Sequence, residues 1–321
     1  MNYSMNRAPY RLDWVDQIRG ILFILVIVCH SRLAEPWMKY LYEPIFLTGF
    51  FFISGYLYRT KLYLARIKSI INTLVVPLVL YSAIWGVISL LQTRNLLEGI
   101  NSFALTILGG DTIWFIPCLI LVEFGYVSLE YLFKDYVNAV AIILSVICMF
   151  ILSELGIQRG VWSWEVATYA IGYFALGNAC KDRLLTMKWS VFLGIIYTFL
   201  SLSLGLLGYL DGIDMHLNTY GHVWAYLLTS VIGCFALISL SQYFYTNKYI
   251  IEFGKYTLLL FPFHGIVLRK VLVLSRMILS GGGSFICLVI SVLVTFFICL
   301  LVARFVYKYI PLLGGKVKVL K

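Results

Sequence analysis

Charge is what this chain has least of: Asp, Glu, Lys and Arg make up 12% of its 321 residues while 61% are hydrophobic, against roughly a quarter charged in a soluble globular domain. So few polar side chains cannot cover a water-facing surface, which excludes a soluble enzyme. The basic residues also form no single patch of the kind that binds nucleic acid. Organised cysteines are missing too. All seven (Cys29, Cys118, Cys148, Cys180, Cys234, Cys287 and Cys299) fall in apolar runs, with no CxxC pair and no cysteine-rich loop. Neither a disulfide framework nor a zinc site is expected, and they read as core packers. No small-residue cleavage pattern follows the first apolar run, which argues against a removable signal peptide and makes that run the first span. Internal repeats, heptads, low-complexity tracts and long linkers are likewise absent. That counts against a transporter built from inverted repeats and leaves residues 1–321 as one domain.

What is present is a succession of apolar runs of about 17 to 25 residues parted by short polar breaks, the length that crosses a hydrocarbon core of about 30 Å. A β-barrel would instead alternate over segments of about ten residues. With a mean hydropathy of +0.91, the chain is predicted to be an all-α polytopic membrane helix bundle of about ten spans. These cover residues 14–33, 44–58, 70–92, 112–133, 137–154, 164–180, 189–209, 222–243, 257–279 and 284–307. Lys and Arg sort between alternate breaks. With the N-terminus inside, the inner breaks hold 18 of the 25, among them Arg7, Arg11, Arg19, Arg59, Lys61, Arg66, Lys68, Lys181, Arg183, Lys188, Lys316, Lys318 and Lys321. The outer breaks hold Arg32, Lys39, Arg94, Arg159 and Arg276. Because cytoplasmic loops are enriched in Lys and Arg, both termini are predicted to be cytoplasmic in a multi-pass plasma (cell inner) membrane protein. The net charge of +10 is thereby assigned to topology.

Few ionisable groups enter the spans, and each Asp, Lys or Arg at mid-membrane costs at least roughly 2.5–3.5 kcal/mol, so each is a candidate for function. In the opening stretch WVDQIRGILFILVIVCH (14–30), Asp16 and Arg19 share a helix face at the inner mouth. A rise of about 1.5 Å per residue carries His30 about 16 Å further along nearly the same face. A neutral histidine is a ready base near pH 7; the structural alternative is an imidazole satisfied by a neighbouring helix. Glu123 lies at mid-depth of the fourth span and is expected to pair with the intramembrane cations. Pro117 is expected to kink that span, and Trp114 and Phe115 to join an outer aromatic belt. In the ninth span Pro262 interrupts the helix just before His264, and His264, Arg269 and Lys270 together require a polar cavity. Arg59, Lys61, Arg66 and Lys68 satisfy the topology rule and are also candidate ligands of a phosphate group. Gly49, Ser54 and Gly55 permit close helix approach. The stretch YLDGIDMHLNTYGH (209–222), with Asp211, Asp214, His216, Tyr220 and His222, is expected to be a solvated outer loop in preference to a rim that binds sugar.

Taken in order, WVDQIRGILFILVIVCH with ten residues between Arg19 and His30, then FFFISGYLY, IWFIPCL and FGKYTLLLFPFH extend over nearly the whole chain. They resemble the integral-membrane acyltransferase 3 family, in particular its fucose 4-O-acetylase-like branch. The resemblance implies a ten-helix core that takes an acyl group, usually acetyl, from acyl-CoA on the cytoplasmic side. It delivers that group to a hydroxyl of a cell-surface or lipid-linked carbohydrate, with acyl-CoA as co-substrate and no tightly bound cofactor. It also implies that His30 is the essential histidine, Arg19 its partner and His264 the late histidine. On this reading His30, Arg19, Asp16, His264 and Glu123 form the catalytic set, and Arg19, Arg59, Lys61, Arg66, Lys68, Arg269 and Lys270 hold the donor, with no metal. Where many members carry an Arg, two residues, Arg element, this chain reads RIKS, so Arg66 keeps half of that element and Lys68 is a displaced second cation. A multi-pass transporter or flippase for a polar metabolite is the alternative, with the same charges lining a path.

Overall fold

The computed structural model describes residues 12–108, 113–181, 190–243, 247–279 and 284–315. Of the positive charges expected on the inner side, Arg7, Arg11, Arg183, Lys188, Lys316, Lys318 and Lys321 lie outside the described residues. Among the described residues the chain is an all-α bundle without strands. The helices are α1 (Asp13–Ser31), α2 (Pro36–Tyr42), α3 (Thr48–Leu57), α4 (Tyr63–Ile70), α5 (Val76–Thr93), α6 (Leu96–Ile107), α7 (Phe115–Phe133) and α8 (Val137–Glu154). They continue with α9 (Trp164–Ala179), α10 (Ser190–Leu206), α11 (Val223–Tyr243), α12 (Lys248–Lys255), α13 (Thr257–Leu260), α14 (His264–Ile278) and α15 (Ser284–Tyr309). Among the described residues five segments are long and apolar enough to cross a membrane: Asp13–Ser31, Tyr63–Thr93, Phe115–Glu154, Val223–Ser241 and Ser284–Tyr309. The fourth of the long runs in hydropathy, 112–133, joins the fifth through a single 3-10 turn at Lys134–Tyr136.

Three departures from the hydropathy pattern have local causes. The span expected over 44–58 is helical only over the ten residues of α3, about 15 Å of rise, and sits inside the bundle, where Phe51 and Phe52 are fully buried. Between 92 and 112, where the pattern predicts a loop, α6 forms instead. Asn95 caps it by accepting a hydrogen bond from Leu97 N–H at 2.9 Å, and at twelve residues it is too short for a span-length criterion. Pro117 does not kink α7. It falls in the first turn, where its missing N–H costs no helical bond.

Between apolar helices in lipid the association comes from packing and not from water exclusion, so close approach is decisive. A Cβ on Gly55 would sit 1.8 Å from the Phe174 carbonyl oxygen, and one on Gly177 would sit 2.0 Å from the Phe52 carbonyl oxygen. α3 and α9 therefore touch backbone to backbone, which fulfils the expectation for Gly55. The same device joins α1 to α12, where a Cβ on Gly254 would lie 1.8 Å from the Asp16 carbonyl oxygen. α12 is also clamped to α15 by Arg304, whose Nε and Nη2 donate to Glu252 at 2.7 and 2.5 Å. This pairing holds the Glu252 carboxyl below the usual carboxylate range. Gly55→Leu is expected to force α3 and α9 apart and to cost about 1–3 kcal/mol or more. It would appear as a lowered melting temperature of the detergent-solubilised protein, and an unchanged value would show that the helices have room to spare.

Two groups of cations, the first gathered about Tyr58, mark the two ends of the bundle. Arg19, Tyr58, Arg66 and Lys181 gather at the end where α1 begins, whereas Arg32, Arg159, Arg276 and the 209–222 loop lie toward the end where it finishes.

Candidate active site

His30 stands in the last turn of α1. Its Nδ1 lies 2.9 Å from the Val26 carbonyl oxygen. A carbonyl only accepts, so Nδ1 carries the hydrogen, which in the neutral ring leaves the lone pair on Nε2. His264 reaches the same state by a different local route. Pro262 has no N–H to donate, the helix breaks between α13 and α14, and the Leu258 carbonyl that residue 262 would have bonded lies 3.3 Å from the Tyr81 hydroxyl, whose closer acceptor is the Leu313 carbonyl. The break also frees the Phe261 carbonyl, to which His264 Nδ1 donates at 2.8 Å, with the Leu260 carbonyl at 3.3 Å. The proline interruption predicted from the sequence thus sets the tautomer of the histidine. His264 Nε2 is buried without a hydrogen-bond partner among the described residues. The two imidazoles meet edge to face with their centroids 5.0 Å apart, and Phe23 packs edge-on against His264 at 5.2 Å.

Both rings line a cavity of about 750 Å³, within the size range of small-molecule sites. Part of its wall is aromatic: Phe115 and Phe261 stack at 4.7 Å, and Trp114 lies 5.2 Å from the His216 ring. Trp114 and Phe115 are buried here and do not form an outer belt. Depth along a span said nothing about which way α7 would turn them. The 209–222 stretch is likewise more than a solvated loop, because Ile213, Asp214, Met215 and His216 fold back into the cavity wall. Asp214 caps a short turn there, accepting from the His216 and Leu217 N–H groups at 2.9 and 3.3 Å, and Arg159 lies 2.6 Å from His216 Nε2. Tyr220 is buried behind the wall, and His222 packs on Tyr209 at 5.0 Å. Arg269 lines the cavity; its neighbour Lys270 is exposed and takes no part in the wall.

The second cluster lies toward the other end of α1. Arg66 Nη2 donates to Glu123 at 2.9 Å, and its guanidinium sits 4.2 Å above the Tyr58 ring. Tyr58 donates to Glu130, as does Thr60 at 2.9 Å. Arg19 is near enough to act on the Glu123 charge. The partner of Glu123 is therefore Arg66 of α4 and not Arg269 or Lys270, because α4 packs against α7 while Arg269 faces the histidine cavity. Asp16 is buried beneath α12. Arg59, Lys61 and Lys68 are exposed. Asp16 and Glu123 are thus not brought to the histidines, which share their cavity with Arg269 alone of the other residues expected at the site.

The cavity also contains residues that the intramembrane-charge rule passes over: Glu43 and Asp214, which fall between the predicted spans, and Arg32 and Arg276, which stand at the outer ends of theirs and are counted with the outer breaks. Burial, only partly offset by Lys39, pushes the Glu43 carboxyl up to about 7, and Asp214 adds to the rise. Among the described residues no cluster of His, Cys, Asp and Glu has the arrangement of a metal site.

Comparison with curated proteins and with solved structures gave no match. A family model described as an acyltransferase domain, that of the acyltransferase 3 family, matches residues 12–304. The matched stretch runs from the start of α1 into α15 and contains both histidines, Arg19 and the Arg66–Glu123 pair. The chain belongs to the acyltransferase 3 family and is a membrane acyltransferase.

Proposed function

We propose that the reaction is O-acyl transfer, from acyl-CoA, with acetyl as the acyl group, to the hydroxyl of a cell-surface or lipid-linked carbohydrate. The observation that carries this reading is the pair of imidazoles in the cavity wall, each with Nδ1–H tied to a backbone carbonyl and Nε2 left as a lone pair. In this reading His30 Nε2 takes the proton of an acceptor hydroxyl as its oxygen attacks the thioester carbonyl. The new C–O bond forms, the C–S bond breaks, and the departing thiolate receives the proton from the imidazolium. His264 packs edge to face on His30 and holds that ring in the cavity wall.

The donor enters from the other end. Arg19, Arg59, Lys61 and Lys68 hold its phosphate groups by charge-assisted bonds, and Arg66 joins them on the side not used by Glu123. The rise from Arg19 to His30 is about 16 Å, so the thioester is delivered along α1. Glu123 and Asp16 serve that end by fixing its cations. The sorting of Lys and Arg supports an inner-membrane protein with the donor on the cytoplasmic side and both termini there.

Purified protein in nanodiscs, given acetyl-CoA, is expected to release coenzyme A thiol slowly alone and about 10²-fold or more faster with a suitable saccharide, within the range that a positioned base supplies. Saccharide flux across a vesicle membrane without thiol release would sink the reading in favour of transport.

A further inference from the structure

Three arginines line the histidine cavity, Arg32 at the end of α1 and Arg269 and Arg276 on α14. None of their guanidinium groups has a hydrogen bond or ion pair with another described residue. Seven residues make about two helical turns, so Arg269 and Arg276 share one face about 10 Å apart along the axis. Leu272, between them, lines the cavity too. Two carboxylates stand in the same wall, and neither offsets these cations in full. Asp214 already accepts two backbone N–H groups. Glu43, pushed up to about 7 by burial, carries only part of its charge at neutral pH. The three arginines are exposed residues of the cavity wall, open to an incoming ligand, and a guanidinium fork matches the paired oxygens of phosphate and carboxylate. The coenzyme's own phosphates have a separate set of cations at the Arg19 end, and the part of the donor that must reach His30 is its uncharged thioester.

We propose that the cavity beside His30 is selective for an anionic acceptor, a saccharide bearing a phosphate or carboxylate group, with that group held by Arg269 and Arg276 and assisted by Arg32. A hydroxyl of the same molecule then lies at His30. The site of the hydroxyl rests on the acyl-transfer reading; the charge selectivity stands on the arginines.

The full chain in nanodiscs of phosphatidylcholine, which supplies no net lipid charge, would be titrated with glucose, glucose 1-phosphate, glucuronic acid and coenzyme A. At least one anionic sugar is expected to bind about tenfold or more tightly than glucose, the scale of a hydrogen bond to a charged group. Preference for glucose 1-phosphate assigns the site to phosphate, and preference for glucuronic acid assigns it to carboxylate. Arg269→Gln combined with Arg276→Gln should erase the margin and leave coenzyme A binding unchanged, while Arg94→Gln combined with Lys134→Gln, an equal charge loss on exposed residues away from the cavity, should keep both. Arg269→Lys with Arg276→Lys, which retains the charge, should keep part of the margin. Equal binding of the three sugars would overturn the proposal, as would a margin that survives the double glutamine variant or a loss of coenzyme A binding in its place. Binding requires no turnover. A missing margin alongside saccharide-stimulated thiol release would therefore refute the charge selectivity and leave acyl transfer intact.

Discussion

His30→Ala is expected to lower kcat for acyl transfer by about 10²–10⁴-fold, the range a positioned general base contributes, without unfolding the protein. The stability half of this expectation follows from the surroundings of the ring. His30 is exposed in the cavity, and its one hydrogen bond is to Val26 of its own helix. Its removal leaves the α1 backbone bonds and the packing of Phe23 and Ile27 in place. The melting temperature and coenzyme A binding should therefore match those of the unsubstituted protein while transfer is lost. Full transfer activity in the variant would remove His30 from the chemistry. A single-turnover reaction quenched early and examined by mass spectrometry would separate two roles, because an acyl group found on His30 marks a covalent carrier and its absence marks a base.

The second large effect is expected in stability. Arg66 and Glu123 are a close pair with side chains only 12% and 14% exposed. Removing one partner of a buried pair leaves an uncompensated charge and costs about 3–5 kcal/mol, whereas replacing both by apolar groups of similar volume is often neutral. Arg66→Met should accordingly destabilise the protein strongly, toward the lower end of that range because Arg19 also acts on Glu123. Arg66→Met with Glu123→Leu should recover most of the loss. Thermal unfolding in detergent reads both, and coenzyme A binding by the stable double variant shows whether Arg66 also touches the donor. A destabilisation in the double variant equal to that of Arg66→Met alone would mean that the pair is not what holds α4 to α7.

The individual chemical groups were legible in the sequence because each is rare in its setting. His30, His264 and Glu123 stand out in apolar runs where ionisable residues are costly, and Pro262 announced a broken helix whose freed carbonyl does orient His264. Partnership was not legible. The sequence points Glu123 to the intramembrane cations, Arg269 and Lys270 among them, because they share the membrane interior, yet its partner comes from an amphipathic helix just outside the apolar run, where the Arg66 side chain is long enough to reach it. The same blindness to direction placed Trp114 and Phe115 at a lipid interface when α7 turns them inward. α6 escaped notice because it is too short to register as a span and packs on α5 through Gly86 and Gly99, each of whose missing Cβ atoms lies about 3 Å from the other's carbonyl oxygen.

By itself the sequence determined the solvent and the helical class. Runs of apolar side chains long enough for a hydrocarbon core require helices whose backbone groups are satisfied internally, and the Lys and Arg between them sort to alternate ends. These are local quantities, read over a window of about twenty residues. Only the tertiary structure decided which rare groups meet: His30 with His264 in one cavity, Arg66 with Glu123, and the arginines of α14 beside the end of α1. Such contacts depend on which helix faces can approach, and here that is governed by glycines at α3–α9 and α1–α12, where a single Cβ would exclude the neighbouring backbone.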